Sequence, residues 1–302
     1  MLTLKQQKDA RFERREYFTP NARTAFFRIL TSVAPKGTIL LPAYIGINDR
    51  EGSGVLDPVQ KAGVAFEFYA VDEQLSPVMS DLEQKIAQSD VTSVLAIHYF
   101  GFPSTTFDQV VALCCAQNKF LIEDCAHALD SYHGKKRLGT FGDASFFSLH
   151  KLLAVENGGM LQINSNTMTH EFADDIDIYS LASYARADLE RMRQVRRDNY
   201  RYLQSKLAGV KSFFTSLPDG VTPMNFPVLI EGKDRDDVYF ALRDAGVPTS
   251  SLYHTLIPQI KESDYPQSYE VSRRISNLPI HQDITHDDID RMIEILRTIL
   301  TA

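Results

Sequence analysis

The sequence is poor in several features that would narrow its class. Of 302 residues none is tryptophan, and only three are cysteine, Cys114, Cys115 and Cys125. Three cysteines without a CxxC pair argue against a disulfide framework and a structural zinc site, so we expect no metal centre. No apolar run approaches the roughly 20 residues that cross a bilayer, so we expect no membrane association.

The charge balance is acidic rather than basic. Lys and Arg number 32 against 39 Asp and Glu, a net charge of -7, which argues against a nucleic-acid partner. The arginines at 186, 191, 193, 196, 197 and 201 lack interleaved aromatics, and we predict a solvated helix face paired with Asp188 and Glu190. The beginning, MLTLKQQKDARFERREYF, has no apolar segment, so we expect no signal peptide and a reduced, cytoplasmic protein.

Short apolar segments alternate with helical patterns, which indicates an α/β fold with a largely parallel sheet. The predicted strands are 38–44, 65–71, 92–100, 119–127, 143–153 with a turn, and 158–164. The predicted helices are 21–33 capped by Asn21, 57–63 ended by Gly63, 79–88 with Ser80 and Glu83 as a capping box, and 107–118. We predict one long helix over 183–207, then a strand at 226–230 and helices at 234–246 and 286–300. The sequence thus divides into a large domain, 1–185, and a small C-terminal α+β domain, 186–302.

Lys151 is the most informative residue for chemistry. It lies in FFSLHKLLAV, where the other side chains are mostly apolar or small. Lost hydration lowers the pKa of a lysine and makes its amine able to form a Schiff base at neutral pH. The alternative is a lysine at a strand end that extends to solvent. His150 could be a general base, but neighbours in a strand face opposite sides, so the two need not share a site.

Asp124 follows the apolar strand residues FLI. An acid at the carboxyl end of a parallel strand points into the crevice where α/β proteins bind ligands. It could hold a pyridine nitrogen protonated, or it could cap a helix starting at CAHAL. His127 is either structural or a hydrogen-bond partner for a cofactor hydroxyl, and Ser148 could donate to a phosphate.

These segments together resemble the DegT/DnrJ/EryC1/StrS family of sugar aminotransferases, which use pyridoxal 5'-phosphate (PLP). The similar segments occur in the family's order over most of the chain. They are TILLPAY (38–44), HYFGFP (98–103), FLIEDCAHALDSYHGKKRLGTFGDASFFS (120–148), KLLAVENGGM (151–160) and SRRISNLPIHQDITHDDIDRMIEIL (272–296).

The resemblance implies the fold type I of PLP-dependent transferases, with a mostly parallel seven-stranded sheet, and a homodimer with composite active sites. It implies that Lys151 binds PLP covalently, that Asp124 pairs with the pyridine nitrogen and that His127 lies near the phenolic oxygen. Ser148 would bind the phosphate, together with either Arg23 or Thr24. Tyr44 lies in the segment that supplies the aromatic stacked on the cofactor ring.

The chain departs from the family in several places. The serine-to-lysine run S-L-H-K is two residues shorter than usual. The stretch between the double glycine and the long helix is also short and lacks a GxNxRM element, and the HYxxPxHxQ run is reduced to LYHTLIPQI (252–260).

We expect amino transfer from an amino acid, L-glutamate in the first instance, to a keto sugar, most simply one linked to a nucleotide. The alternatives are a PLP transaminase with a non-nucleotide substrate, a sugar dehydratase, and a non-catalytic family member. Dehydratases of the family replace the lysine with histidine, whereas Lys151 is kept here.

Overall fold

The fold is described from a computed structural model, which describes residues 15–48, 50–164 and 176–301. The expected absence of a signal peptide concerns mainly residues outside this description. The expected loss of the GxNxRM element falls partly on residues 165–175, which also lie outside it. Among the described helices none is long and apolar enough to cross a membrane.

The strands and helices follow the predicted alternation through the first half of the chain. The strands are β1 (Arg15–Thr19), β2 (Thr38–Pro42), β3 (Phe66–Tyr69), β4 (Val91–Ile97), β5 (Phe120–Asp124), β6 (Tyr132–His133), β7 (Lys136–Arg137), β8 (Ala144–Ser148), β9 (Gly159–Ile163), β10 (Lys211–Ser212), β11 (Phe226–Leu229) and β12 (Ile275–Leu278). The helices are α1 (Ala22–Ser32), α2 (Leu56–Ala62), α3 (Met79–Ile86), α4 (Phe107–Ala116), α5 (Ile178–Arg186), α6 (Leu189–Lys206), α7 (Arg235–Asp244), α8 (Pro266–Arg274) and α9 (His286–Thr301), with a 3-10 turn at Tyr99–Gly101.

The central sheet has seven strands in the order β1-β9-β8-β5-β4-β2-β3. Strands β8, β5, β4, β2 and β3 are parallel, whereas β9 and β1 add an antiparallel edge. Every residue of β2, β5, β8 and β9 is buried, as expected for a parallel sheet covered on both faces. The α/β prediction with a mostly parallel sheet is therefore confirmed.

Local signals fixed some helix ends but not others. Asn21 caps α1 and accepts a hydrogen bond from the Thr24 amide (2.9 Å), and α2 ends at Gly63 with φ 65°. The predicted Ser80 capping box is wrong. Helix α3 begins at Met79, so Ser80 lies inside its first turn, and Val78 precedes it without a side-chain cap.

The C-terminal part differs more from the prediction. The long helix predicted over 183–207 is two helices, because the Asp188 side chain caps a new helix by accepting from the Arg191 amide (3.0 Å). The prediction omitted α8 and also β12, which pairs antiparallel with β11 in a three-stranded sheet. This sheet uses residues 211–278 and the large sheet residues 15–163. The domain division near residue 185 stays a prediction.

The arginine-rich helix face is not uniformly solvated, which corrects the prediction. Arg196 is only 3% exposed and donates to the Met224 carbonyl (2.7 Å) and to Gln282 Oε1 (2.9 Å). Burial lowers its pKa to about 10. Arg201 remains exposed near Asp198. One face of α6 therefore packs on the rest of the molecule, and its arginines bind main-chain carbonyls there.

Candidate active site

Several polar side chains meet in a cavity at the carboxyl ends of the parallel strands. Asp124 ends β5, Ser148 ends β8, and Tyr44 follows β2. The cavity has a volume of about 280 Å³, close to the lower limit of about 300 Å³ for small-molecule sites. This is the position at which open α/β sheets bind ligands.

Lys151 enters this cavity from a turn that follows β8. The strand ends at Ser148, and the amides of Leu152 and Leu153 both donate to the Leu149 carbonyl (3.2 and 2.9 Å). Because the chain turns here, His150 and Lys151 both line the cavity instead of facing opposite sides. Burial lowers the pKa of Lys151, an effect that the negative charge of Asp124 partly opposes.

Lys151 and His127 form a hydrogen-bonded pair, with 2.8 Å between Nζ and Nε2. The Phe100 amide donates to His127 Nδ1 (3.2 Å), so we assign the proton of the neutral imidazole to Nε2. That proton can then be donated to the lone pair of a neutral lysine amine. Burial lowers the pKa of His127 well below its usual range, and the charge of Lys151 lowers it further. Both groups are therefore driven towards their neutral forms.

Asp124 faces the same cavity and does not cap a helix. Its Oδ1 accepts from the Ala126 amide (2.8 Å) in a turn, and the next helix among the described residues is α5, which begins at Ile178. Burial raises the pKa of Asp124 to about 6, although the Ala126 hydrogen bond and the nearby positive charge of Lys151 lower it. A carboxylate desolvated in this way gains from pairing with a cationic ligand atom.

Beside Asp124, the side chains of His98, Glu123 and Cys125 form one cluster of metal-ligand type within the described residues. Both Glu123 oxygens already accept hydrogen bonds. Oε2 binds His98 Nε2 (2.9 Å) and the Gly139 amide (2.7 Å), and Oε1 binds the amides of Phe141 and Gly142 (2.7 Å each). This cluster is therefore a hydrogen-bonded anchor, which fixes the turn at 139–142 against the end of β5.

The expected phosphate ligands do not all reach the cavity. Ser148 and Arg23 line it, and the Ser148 hydroxyl lies 3.2 Å from His150 Nδ1. The Arg23 guanidinium is 3.6 Å from the Glu51 carboxylate, and its Nε is buried without a hydrogen-bond partner. Thr24 is not among the lining residues, because its hydroxyl donates to the capping Asn21 Oδ1 (3.1 Å). Of the two alternatives, the geometry favours Arg23.

Tyr44 lies in the wall, but its hydroxyl is already engaged. It accepts from the Tyr253 amide (2.8 Å), and the segment beyond pairs Gly46 with Leu256 in a β-bridge. The C-terminal segment 251–255 thereby closes one side of the cavity and adds Tyr253 to its lining. Sequence analysis missed Tyr253, although the LYHTLIPQI segment that carries it had been singled out.

A model of the DegT/DnrJ/EryC1/StrS aminotransferase family matches residues 53–187 and 179–297. The chain belongs to this family. It is therefore a PLP-dependent aminotransferase, and the sequence resemblance is confirmed.

Relatives and solved structures agree with this assignment. The chain is 24% identical over 294 residues to the spore coat polysaccharide biosynthesis protein SpsC of Bacillus subtilis (strain 168), covering 74% of each chain. It is 39% identical to GDP-perosamine synthase of Escherichia coli O157:H7 over 92 residues, 30% of this chain and 25% of that protein. The crystal structure of the aminotransferase TlmJ from Streptoalloteichus hindustanus superposes with a TM-score of 0.78 at 23% identity, covering 95% of this chain and 86% of TlmJ. The fold is that of type I.

The described residues fit PLP. The cavity combines an amine with a lowered pKa, a buried carboxylate and an imidazole at one end. It also contains a guanidinium with an unpaired buried Nε, and the first turn of α1, whose N-terminal end favours an anion. Lys151, Asp124 and His127 would hold the ring, and Arg23 with Ser148 would hold the phosphate.

Proposed function

We propose that the protein transfers an amino group from L-glutamate to a nucleotide-linked keto sugar, with Lys151 as the catalytic residue. The observation that carries this proposal is the convergence of the Lys151 amine, the His127 imidazole and the Asp124 carboxylate in one cavity. These groups provide an attachment point, a hydrogen-bond donor and a negative charge within one small volume.

PLP supplies an aldehyde that carries the amino group and a ring that accepts the electron pair left on the donor's α-carbon. Asp124 would keep the ring nitrogen protonated. Its carboxylate is buried, so its attraction to a positive charge on that nitrogen is weakly screened by water. Lys151 Nζ removes the proton from the donor's α-carbon and returns a proton to the second reacting carbon. Burial lowers the pKa of this amine, which favours the neutral form that accepts a proton.

The sugar substrate is proposed from the relatives. One is named for polysaccharide biosynthesis and another for the synthesis of GDP-perosamine, a nucleotide-linked amino sugar. L-Glutamate as the donor is proposed from the family resemblance. The free cysteines, including the buried Cys114 and Cys125, support a reducing, cytoplasmic location.

Absorption spectra of the purified protein with PLP, before and after addition of L-glutamate, test the first half of the reaction. We expect a band of covalently bound cofactor that Lys151→Ala lacks, and a shift of that band with L-glutamate. A panel of nucleotide-linked and free keto sugars should then restore the original band. If only free sugars or simple ketones restore the original band, the acceptor is not a nucleotide-linked sugar. The absence of any Lys151-dependent band would refute the proposal.

We also propose that the protein is a homodimer. Apolar side chains exposed on α5 support this proposal, because a second copy of the chain could cover them. Ile178 is 75% exposed, Tyr179 52% and Leu181 40%. Light scattering should give twice the chain mass of 34.1 kDa, and a monomer at micromolar concentration would contradict the dimer.

A further inference from the structure

Gly46 is a glycine for reasons of space rather than backbone conformation. It is absent from the glycines with positive φ, so another residue could adopt its backbone geometry. A Cβ built at Gly46 would collide with the ring atoms Cδ1 and Cγ of Tyr253. The ring of Tyr253 therefore occupies the volume that a side chain at position 46 would fill.

Hydrogen bonds hold the main chain of Tyr253, whereas its ring lines the cavity. Its amide donates to Tyr44 Oη (2.8 Å), and its carbonyl accepts from Ser272 Oγ (2.8 Å). The ring centroid lies 6.4 Å from that of His127, with 34° between the planes. The Tyr253 hydroxyl has no hydrogen-bond partner in the part of the chain that the structure describes.

The electrostatic surroundings agree with this placement. Burial raises the pKa of Tyr253, and the negative charge of Asp124, which lines the same cavity, raises it further. The ring is therefore uncharged at any physiological pH. An uncharged, immobilised aromatic face beside Asp124 and His127 suits a planar heteroaromatic ligand.

We propose that Tyr253 forms the aromatic wall of the cofactor site, its ring packing against the planar ring of PLP, and that Gly46 admits it. Tyr44, which the sequence resemblance suggested for this role, is a positioning residue that holds the Tyr253 main chain. This inference rests on the cofactor site proposed above.

Affinity for PLP, measured by spectral titration, provides the first test. Tyr253→Ala should raise the Kd for PLP about tenfold, the loss expected for one stacked ring. Tyr253→Phe keeps the ring and should stay within about twofold of the parent protein. Equal affinities for Tyr253→Ala and the parent protein would overturn the inference.

Two of the three glycines that line the cavity, Gly46 and Gly54, give a matched pair. Gly46→Ala should weaken PLP binding by about the same factor as Tyr253→Ala, since the methyl group displaces the ring. Gly54 also lines the cavity, but a Cβ there meets no atom within 4 Å, so Gly54→Ala should change the Kd little. In a Tyr253→Ala background, Gly46→Ala should cost nothing further. An additive loss in the double variant would mean that Gly46 acts by another route.

A fluorescence probe tests the contact itself. Because the chain has no tryptophan, Tyr253→Trp has a single one, and PLP should quench its emission almost completely. The control Phe240→Trp places the single tryptophan on an exposed site of α7, 61% exposed in the parent, and should be quenched far less. Equal quenching would contradict ring contact. If the parent protein fails to bind PLP, the proposed function fails as well. If the parent protein binds PLP but the Tyr253 and Gly46 variants bind it equally well, the inference fails and the proposed function stands.

Discussion

The central sheet and the C-terminal part contribute to the same cavity in different ways. The sheet presents single side chains at strand ends or just after them: Asp124, His127, Ser148 and Lys151. The C-terminal part contributes an aromatic face and contacts to main-chain carbonyls. The candidate reactive groups thus lie at or just after the ends of the parallel strands, whereas one side of the cavity is formed by residues 251–255, which come late in the chain.

The C-terminal part also holds the lysine turn. Gln282 Nε2 donates to the Leu152 carbonyl (2.8 Å), and Arg196 Nη2 approaches the same oxygen (3.4 Å). Leu152 directly follows Lys151, so this pair fixes the main chain beside the amine. Gln282 and Arg196 thus support the site through the main chain, without lining the cavity.

The largest effect is expected for Asp124→Asn. We expect a loss in amino transfer of about 10³-fold, because the neutral amide cannot hold the ring nitrogen protonated. A steady-state assay of amino transfer with the proposed donor, L-glutamate, measures it. Retention of more than a tenth of the activity would remove Asp124 from the proposed mechanism.

The same variant should stabilise the PLP-free protein. The folded-state pKa of Asp124, about 6, lies above the ordinary value of 3.8, so the folded protein binds this proton more tightly than the unfolded chain. The stability that protonated Asp124 contributes to the free energy of unfolding is therefore lost as the pH rises from about 4 to about 6. Above pH 6, Asp124→Asn should exceed the parent by about 3 kcal/mol, and below pH 4 the difference should vanish. Urea unfolding from pH 4 to 8 measures it, and equal stabilities at pH 8 would contradict the raised pKa.

Glu123→Gln tests whether the strand end needs its anchor. The amide NH₂ of glutamine would face main-chain N–H donors that now bind a carboxylate, so we expect a loss of about 3 kcal/mol in the free energy of unfolding. The control is Glu262→Gln, which disrupts an exposed pair with Arg273 and should barely move the unfolding midpoint. Equal losses would show that Glu123 is not a special anchor.

Arg196→Met tests the contribution of the C-terminal part. It leaves the carbonyls of Met224 and Leu152 without this donor, so we expect a loss of about 2 kcal/mol in unfolding free energy. The PLP affinity should fall as well, because the lysine turn loosens. Arg201→Met, on the exposed side of the same helix, is the control and should leave both quantities nearly unchanged. Unaltered PLP affinity in Arg196→Met would mean that the contacts of Arg196 affect only the stability of the fold.

The smallest effect separates the two candidate phosphate ligands. Arg23→Leu removes a charged donor from the cavity and should raise the Kd for PLP about tenfold. Thr24→Val removes a hydroxyl that serves the cap of α1, so the Kd should change by less than about twofold. Spectral titration measures both, and the reverse ranking would exchange the two assignments.

Sequence reasoning found the sheet side of the site and missed most of the other side. Lys151, Asp124 and His127 could be predicted because strand ends and the signals around them are local in the chain. Ser80 shows the limit even of local signals, since Val78, two residues before the serine of the predicted capping box, is the N-cap of α3. The arginines of α6 looked alike in sequence, and only packing distinguishes buried Arg196 from exposed Arg201.

The amino-acid sequence by itself determined the α/β alternation and the family, and it singled out Lys151 as the candidate reactive lysine, since each is written in short segments with their own periodicity and composition. Only the tertiary structure placed Tyr253 beside Tyr44 in the cavity wall and Arg23, but not Thr24, among the lining residues. The hydrogen bond between Tyr44 and Tyr253 joins residues 209 positions apart. No local pattern encodes such a contact, because it exists only once the sheet and the C-terminal segment have packed together.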